Sequence, residues 1–225
     1  MKLTYFNGRG LAETSRILFA ISGEDYEDFR YPLEIIDWAT HNMKKEEFEQ
    51  DKKDNKLLMS LNKLPFLEVG EDEVAVGEGG VICQSKAIER FLANRFDLMG
   101  ETPFQAALID SICECVRDFK DMYQKVRSLP EEEKGEGMKK WFTVTLVEKL
   151  VLLENILWGN GFSVGRRMSL ADVVLFTFIT QFFDNNEASY NATLATPKIR
   201  AIVDNVANHE RVVEWLEKRP DPTDF

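Results

Sequence analysis

The chain has 225 residues, long for one compact domain and comfortable for two of about 100 to 150 each. Its 28 basic and 39 acidic residues leave a net charge of −11. That charge repels phosphate backbones and anionic lipid, so nucleic-acid and membrane-surface partners are not expected.

Lys2 to Phe6 alternates as a short strand, with Leu3 and Tyr5 on one face. Asn7-Gly8-Arg9-Gly10 is a turn signal. From Leu11 to Ser22, apolar Leu11, Ile17, Leu18 and Ile21 mark a helix face, and Gly23 suits its end. Tyr26 to Tyr31 reads as a second strand, Pro65 to Val69 as a third and Val81 to Cys83 as a fourth. Ser85 then caps a helix carrying Ala87, Ile88, Phe91, Leu92 and Phe96. Between these elements, the alternating charges of Asn42 to Asn62 predict a solvated helix or a mobile loop, and Glu71 to Gly80 a polar excursion.

The second half reads as helical throughout. Thr102-Pro103-Phe104-Gln105 joins an N-cap, a proline at the first helical position and a capping-box glutamine, opening a helix of six or seven turns. Met138 to Trp158 is expected as another, ending at Gly159-Asn160-Gly161. Ser169-Leu170-Ala171-Asp172 has capping-box form ahead of the apolar run Val173 to Phe183, which suits a central bundle helix. Thr196-Pro197 starts one more helix and Glu210 to Lys218 another, before the Pro220/Pro222 tail.

No apolar run approaches the roughly 18 residues of a membrane span, and the opening residues lack the apolar stretch of a signal peptide. A soluble, cytoplasmic protein is therefore expected. Cys83, Cys113 and Cys115 contain no C-x-x-C pair, and His41 and His209 sit in polar surroundings, so no metal or disulfide framework is predicted.

Candidates for chemistry are few. Tyr5 ends the first strand just before the turn that feeds the first helix, where a phenol could donate to an anion; by position alone it is a packing residue. Ser85 is a cap first, at a helix start whose N–H groups could meet a carboxylate. Pro65 inside an apolar strand signal is explained by a cis Leu64-Pro65 bond, leaving the Leu64 backbone to pair with an extended ligand. Trp38 reads as half-buried loop packing.

Together these residues carry a resemblance. Lys2-Leu3-Thr4-Tyr5-Phe6-Asn7-Gly8-Arg9-Gly10-Leu11-Ala12-Glu13 closely resembles the opening of sigma-class glutathione transferases, a family that includes prostaglandin D synthases and flatworm enzymes. Tyr26-Glu27-Asp28, Asp37-Trp38, Lys63 to Val69, Gln84 to Ile88, Ser169 to Asp172 and Trp215 to Pro220 are similar too, so the likeness spans nearly the whole chain.

The resemblance implies an α/β thioredoxin-like N-terminal domain (1–97), a linker (98–102) and an all-α helical domain (103–225) contributing the electrophile site, assembled as a homodimer. It implies glutathione as co-substrate, no metal, and detoxifying transfer to small hydrophobic electrophiles. Tyr5 would hydrogen-bond the glutathione sulfur; Gln84 and Ser85 would hold the γ-glutamyl carboxylate; Leu64, before cis-Pro65, would pair with the cysteinyl backbone. Trp38 and Lys63 would line the glycyl end, with either Lys44 or Lys45 as the lysine that follows the tryptophan. Asp118 would reach the γ-glutamyl ammonium from the partner subunit, and Phe6, Gly8, Gly10 and Leu11 would wall the electrophile pocket.

Two departures stand out. Leu11 occupies a position where the family often has arginine, and Arg117 falls in the cluster Glu114, Arg117, Asp118 where a metal-activated relative carries acids. The basic residue argues against divalent-metal activation. Two other functions remain open: a prostaglandin-type isomerase using the same thiolate, and a non-catalytic, crystallin-like ligand binder. A glutaredoxin-type oxidoreductase is rejected, because the cysteine nearest the first helix is Cys83.

Overall fold

A computed structural model describes residues 1–37, 42–70 and 80–220. Trp38, His41, the stretch 71–79 and the tail from 221, with Pro222, lie outside the described residues. The chain forms two compact units, Met1–Leu92 together with the chain from Trp215 onward, and Ala93–Glu214.

In the first unit, β1 (Lys2–Phe6) leads through a short 3-10 turn into α1 (Glu13–Ser22) and returns as β2 (Glu27–Tyr31), parallel to β1. Gly23 ends α1 at φ 71°, its N–H donating to Phe19 O at 2.9 Å, a left-handed cap that glycine adopts without cost. Later strands β5 (Phe66–Glu68) and β6 (Val81–Cys83) add on antiparallel, giving the order β2-β1-β5-β6, with α3 (Ser85–Arg95) following. Inside this mixed sheet β1 is covered on both faces, so Leu3 and Thr4 are alike buried.

In the charge-rich insert the solvated helix is the reading that holds, and a hairpin not expected from the sequence leads into it. β3 (Glu34–Asp37) and β4 (Asn42–Lys44) make a separate bulged hairpin, and α2 (Glu46–Lys53) follows. These strands are too short to show a period-2 signal. One residue anchors α2: Phe48 is 6% exposed and packs edge-on against Phe6 at 5.1 Å and Tyr31 at 5.7 Å.

The second unit is helical: α4 (Pro103–Arg127), α5 (Glu131–Lys140), α6 (Leu146–Glu154), α7 (Leu170–Gln181), α8 (Asn186–Asn191) and α9 (Pro197–Ala207), with α10 (Glu210–Lys218) crossing into the first unit. Thr102 caps α4, accepting from Gln105 N–H at 3.2 Å, while the Gln105 side chain reaches one residue further back, to Glu101 N–H at 2.7 Å. The helix expected from Met138 starts at Glu131 instead. Three glutamates in its first turn suit the helix dipole, and Gly135 and Gly137 hide its periodicity. Residues Trp141–Thr145 are π-helical. Buried positions explain this: Trp141 and Leu146 are five apart, whereas Leu146, Leu150, Leu153 and Leu157 follow at four, three and four. The wide turn absorbs the extra residue and keeps Trp141 on the core face, against Tyr123 at 5.4 Å. Every residue of α7 from Leu170 to Ile179 is buried, as its uniform apolarity predicts.

Candidate functional site

Strand register brings the predicted residues together. Thr4 lies opposite Phe66, and Phe66 opposite Cys83. Because β5 runs against β1, and β6 against β5, one step outward from that row reaches Tyr5, Pro65 and Gln84 at one end of the sheet. Leu64 and Lys63 precede Pro65, and Ser85 follows Gln84. The Leu64–Pro65 peptide is cis.

Tyr5 is fixed by the loop after it. Leu11 N–H donates to the Tyr5 hydroxyl at 3.2 Å. Gly10 stands at φ +39°, and a Cβ there would come within 2.6 Å of the Tyr5 hydroxyl oxygen. Burial pushes the phenol above its ordinary value of 10, against opposing pulls from the Leu11 N–H and the Arg16 charge. At neutral pH the hydroxyl therefore keeps its proton, and with one lone pair engaged it has that proton to give.

Beside it opens a cavity of about 240 Å³ lined by Tyr5, Phe6, Gly8, Gly10, Leu33, Met43 and Lys45. Leu11 is not in that lining; its side chain is 52% exposed, and its contribution is the backbone N–H. Of the two candidate lysines, Lys45 lines the cavity and Lys44 does not; both are paired, Lys45 with Glu49 at 3.6 Å and Lys44 with Glu46 at 3.2 Å and Glu34 at 3.9 Å. Lys63 is exposed. At the head of α3, the capping position expected of Ser85 belongs to Gln84, whose carbonyl accepts from Ala87 and Ile88 N–H at 2.9 and 3.1 Å. Ser85 is the first helical residue. Gln84 is exposed at φ +75°, a conformation that costs a non-glycine residue about 1 kcal/mol or more and recurs at binding sites. Asp118 is exposed on α4 in the second unit, one residue from Arg117, which pairs with Glu114 at 2.7 Å.

Among known proteins, the glutathione S-transferase N-terminal domain matches residues 1–94 and the glutathione S-transferase C-terminal domain residues 117–219. The chain is 34% identical to hematopoietic prostaglandin D synthase of Gallus gallus over 97% of its own length and 96% of the relative's. It belongs to the glutathione S-transferase family. Solved transferases share its fold. A monomeric glutathione S-transferase from the hookworm Necator americanus superposes with a TM-score of 0.78 at 28% identity, covering 99% of this chain and 98% of the other. The sigma-class enzyme of Fasciola hepatica gives 0.76 at 26%, covering 100% and 98%.

The family uses glutathione as substrate. Among the described residues of this transferase, no helix is long and apolar enough to cross a membrane, and no group of three or more His, Cys, Asp or Glu is placed to hold a metal ion.

Sequence reasoning missed Leu33 and Met43, which line the cavity, and Arg16, which lies wholly buried behind Tyr5. Leu33 and Met43 belong to short segments without periodicity. Arg16 could have been found only by asking why a charge interrupts the helix face beside Ile17, since arginines are almost never fully buried unless paired.

Gly10→Ala tests how the loop fixes Tyr5. Its Cβ has to displace the phenol, so the transferase should lose turnover by nearly as much as Tyr5→Phe loses, with its thermal midpoint much less affected. Steady-state kinetics beside thermal melts check this.

Proposed function

We propose that this chain is a cytoplasmic, sigma-like glutathione transferase in which the Tyr5 hydroxyl stabilises the glutathione thiolate for attack on small hydrophobic electrophiles. The observation that carries the reading is the row Tyr5, Pro65, Gln84 at one end of the sheet, beside a cavity into which a protonated phenol faces. A free thiol has a pKa near 8.5 and is mostly protonated at neutral pH, and a donor that pairs with the charged form lowers that value.

The rest of glutathione follows from the same geometry. Gln84, turned outward by its left-handed backbone, and Ser85, in the first turn of α3, take the γ-glutamyl carboxylate at a helix N-terminus. Leu64, ahead of Pro65 and β5, pairs with the cysteinyl backbone in β fashion. Lys45 and Lys63, with Trp38, take the glycyl carboxylate, and the lining by Lys45 is the reason to prefer it to Lys44. Phe6, Gly8 and Gly10 face the electrophile, and exposed Leu11 adds apolar surface beside the phenol. Domains of residues 1–97 and 103–225, joined by 98–102, pair in a homodimer in which Asp118 serves the partner's γ-glutamyl ammonium. No metal takes part.

Conjugation of glutathione to chlorodinitrobenzene by the wild-type protein, followed by absorbance, tests the reading. Turnover supports it; no turnover by a folded protein that still binds glutathione would sink it. The 34% identity to a prostaglandin D synthase favours a second activity of the same thiolate, the isomerisation of prostaglandin H, which the same protein can be assayed for directly. The Glu114–Arg117 ion pair makes that activity expected to be indifferent to added magnesium.

Asp118→Ala should weaken glutathione binding by about tenfold, the scale of one lost charge-assisted contact. Dilution of the wild type until it is monomeric should do the same. Calorimetric titration of the variant, beside sedimentation of the wild type, checks both; unchanged affinity would remove Asp118 from the site.

A further inference from the structure

Arg16 does not line the cavity, yet it is 0% exposed, and two of the groups it meets are carbonyls of the loop after Tyr5. One terminal nitrogen donates to Gly8 O at 2.6 Å and to Glu13 Oε2 at 3.4 Å, and the other to Phe6 O at 3.5 Å. Its Nε donates to Asp28 Oδ1 at 3.2 Å. The two carbonyls bracket Asn7 in the turn that carries Gly10 and Leu11 to the phenol. The guanidinium also stands 5.9 Å from the centre of the Tyr5 ring.

Glu13 is itself held from far away in the chain. Its Oε1 accepts from Trp215 Nε1 at 3.0 Å and from an Arg219 terminal nitrogen at 2.7 Å, and it is 2% exposed. Trp215 and Arg219 belong to the C-terminal stretch that is part of the first unit.

We propose that Arg16 is a positioning residue for Tyr5, and that Trp215 and Arg219 set its position through Glu13. A buried ion network of this kind gains little stability over well-packed apolar side chains of the same volume. What an arginine supplies and a leucine does not is a planar fork that grips two carbonyls in fixed geometry. Here those carbonyls fix the turn whose glycine and N–H define where the phenol stands. The C-terminal segment thereby acts on the sulfur without touching glutathione.

The proposal rests on Tyr5 as the donor to the sulfur, and the test separates the two. Ultraviolet absorbance of the glutathione thiolate is titrated against pH in complexes of the wild type, Tyr5→Phe, Trp215→Phe/Arg219→Met, and the triple variant combining all three. The Trp215→Phe/Arg219→Met protein leaves the cavity lining untouched. It is expected to raise the bound thiol's pKa and lower kcat about tenfold, with KM for glutathione within about twofold, as a small misplacement of a catalytic group does. In the triple variant that loss should vanish, because the phenol it acts through is gone. If Trp215→Phe/Arg219→Met lowers only the thermal midpoint and leaves the thiolate titration where it was, the network is merely structural and the proposal is overturned. If Tyr5→Phe itself leaves the titration unmoved, the assignment of Tyr5 fails first and takes the relay with it.

Discussion

Tyr5→Phe is expected to lower conjugation about five- to fiftyfold near pH 6.5 while glutathione affinity changes little. A hydrogen bond to a charged acceptor is worth about 1.5–3 kcal/mol, so losing it should raise the bound thiol's pKa by roughly one to two units. A two-unit rise, from about 6.5 to 8.5, leaves about one fiftieth of the thiolate at pH 6.5. The remaining thiolate is more basic and so more nucleophilic, which returns part of the rate and sets the lower end of the range. The deficit should therefore shrink as pH rises and close where the variant's own thiol ionises. In the wild type, the phenol's raised pKa means that activity should not fall through phenol ionisation below pH 10. Rate against pH for both proteins checks all of this. A deficit of constant size across pH would show that Tyr5 orients the substrate and does not charge it.

The largest loss of stability is expected in the helical unit, from Asp172→Ala. Asp172 is 1% exposed and receives four hydrogen bonds: Ser163 N–H and hydroxyl at 2.6 Å each, Ser169 N–H at 2.7 Å and Ser169 hydroxyl at 2.8 Å. Burial pushes its carboxyl above the ordinary carboxylate value, against the opposing pull of those four donors. Its side chain closes the capping box of α7 and also ties that helix start to the segment at Ser163. Alanine leaves four donors buried without an acceptor and removes the box, a loss of about 3–5 kcal/mol. For a chain of this size that is a fall in the thermal midpoint of about 10 °C. Differential scanning calorimetry reads it directly. Ser163→Ala, which removes only one of the four donors, should cost about 1 kcal/mol. A fall for Asp172→Ala no larger than for Ser163→Ala would mean that the box alone, or water, satisfies the site.

Much of this architecture was legible in the residues. Leu3 and Tyr5 with the turn after them, the Pro65 anomaly, the Val81–Cys83 strand, the starts of α7 and α9 and both ends of α10 come from local rules of alternation, capping and proline geometry. Such rules act over one to four residues, so they survive without knowledge of the rest of the chain. Failures came where an element depends on a partner elsewhere. The β3–β4 hairpin is stabilised by its pairing and the π turn by a core that needs Trp141; α2 is the solvated helix that the alternating charges allowed, and only its Phe48 anchor on Phe6 and Tyr31 was not legible.

The site divides in the same way. Sequence by itself marked Tyr5 and Ser85 as candidates, since residue type and nearness to a helix start suffice for that, while their roles and the choice of Gln84 came only from the family resemblance. Tertiary structure alone decided that Lys45 lines the cavity and that Gln84, not Ser85, occupies the cap. It also joined Glu13 to Trp215 and Arg219, some two hundred residues further along the chain. The physical reason is reach. Backbone preference is set by neighbours in sequence, whereas a buried charge such as Arg16 is tolerated only because distant segments supply its partners, and no local pattern records where those segments will fold.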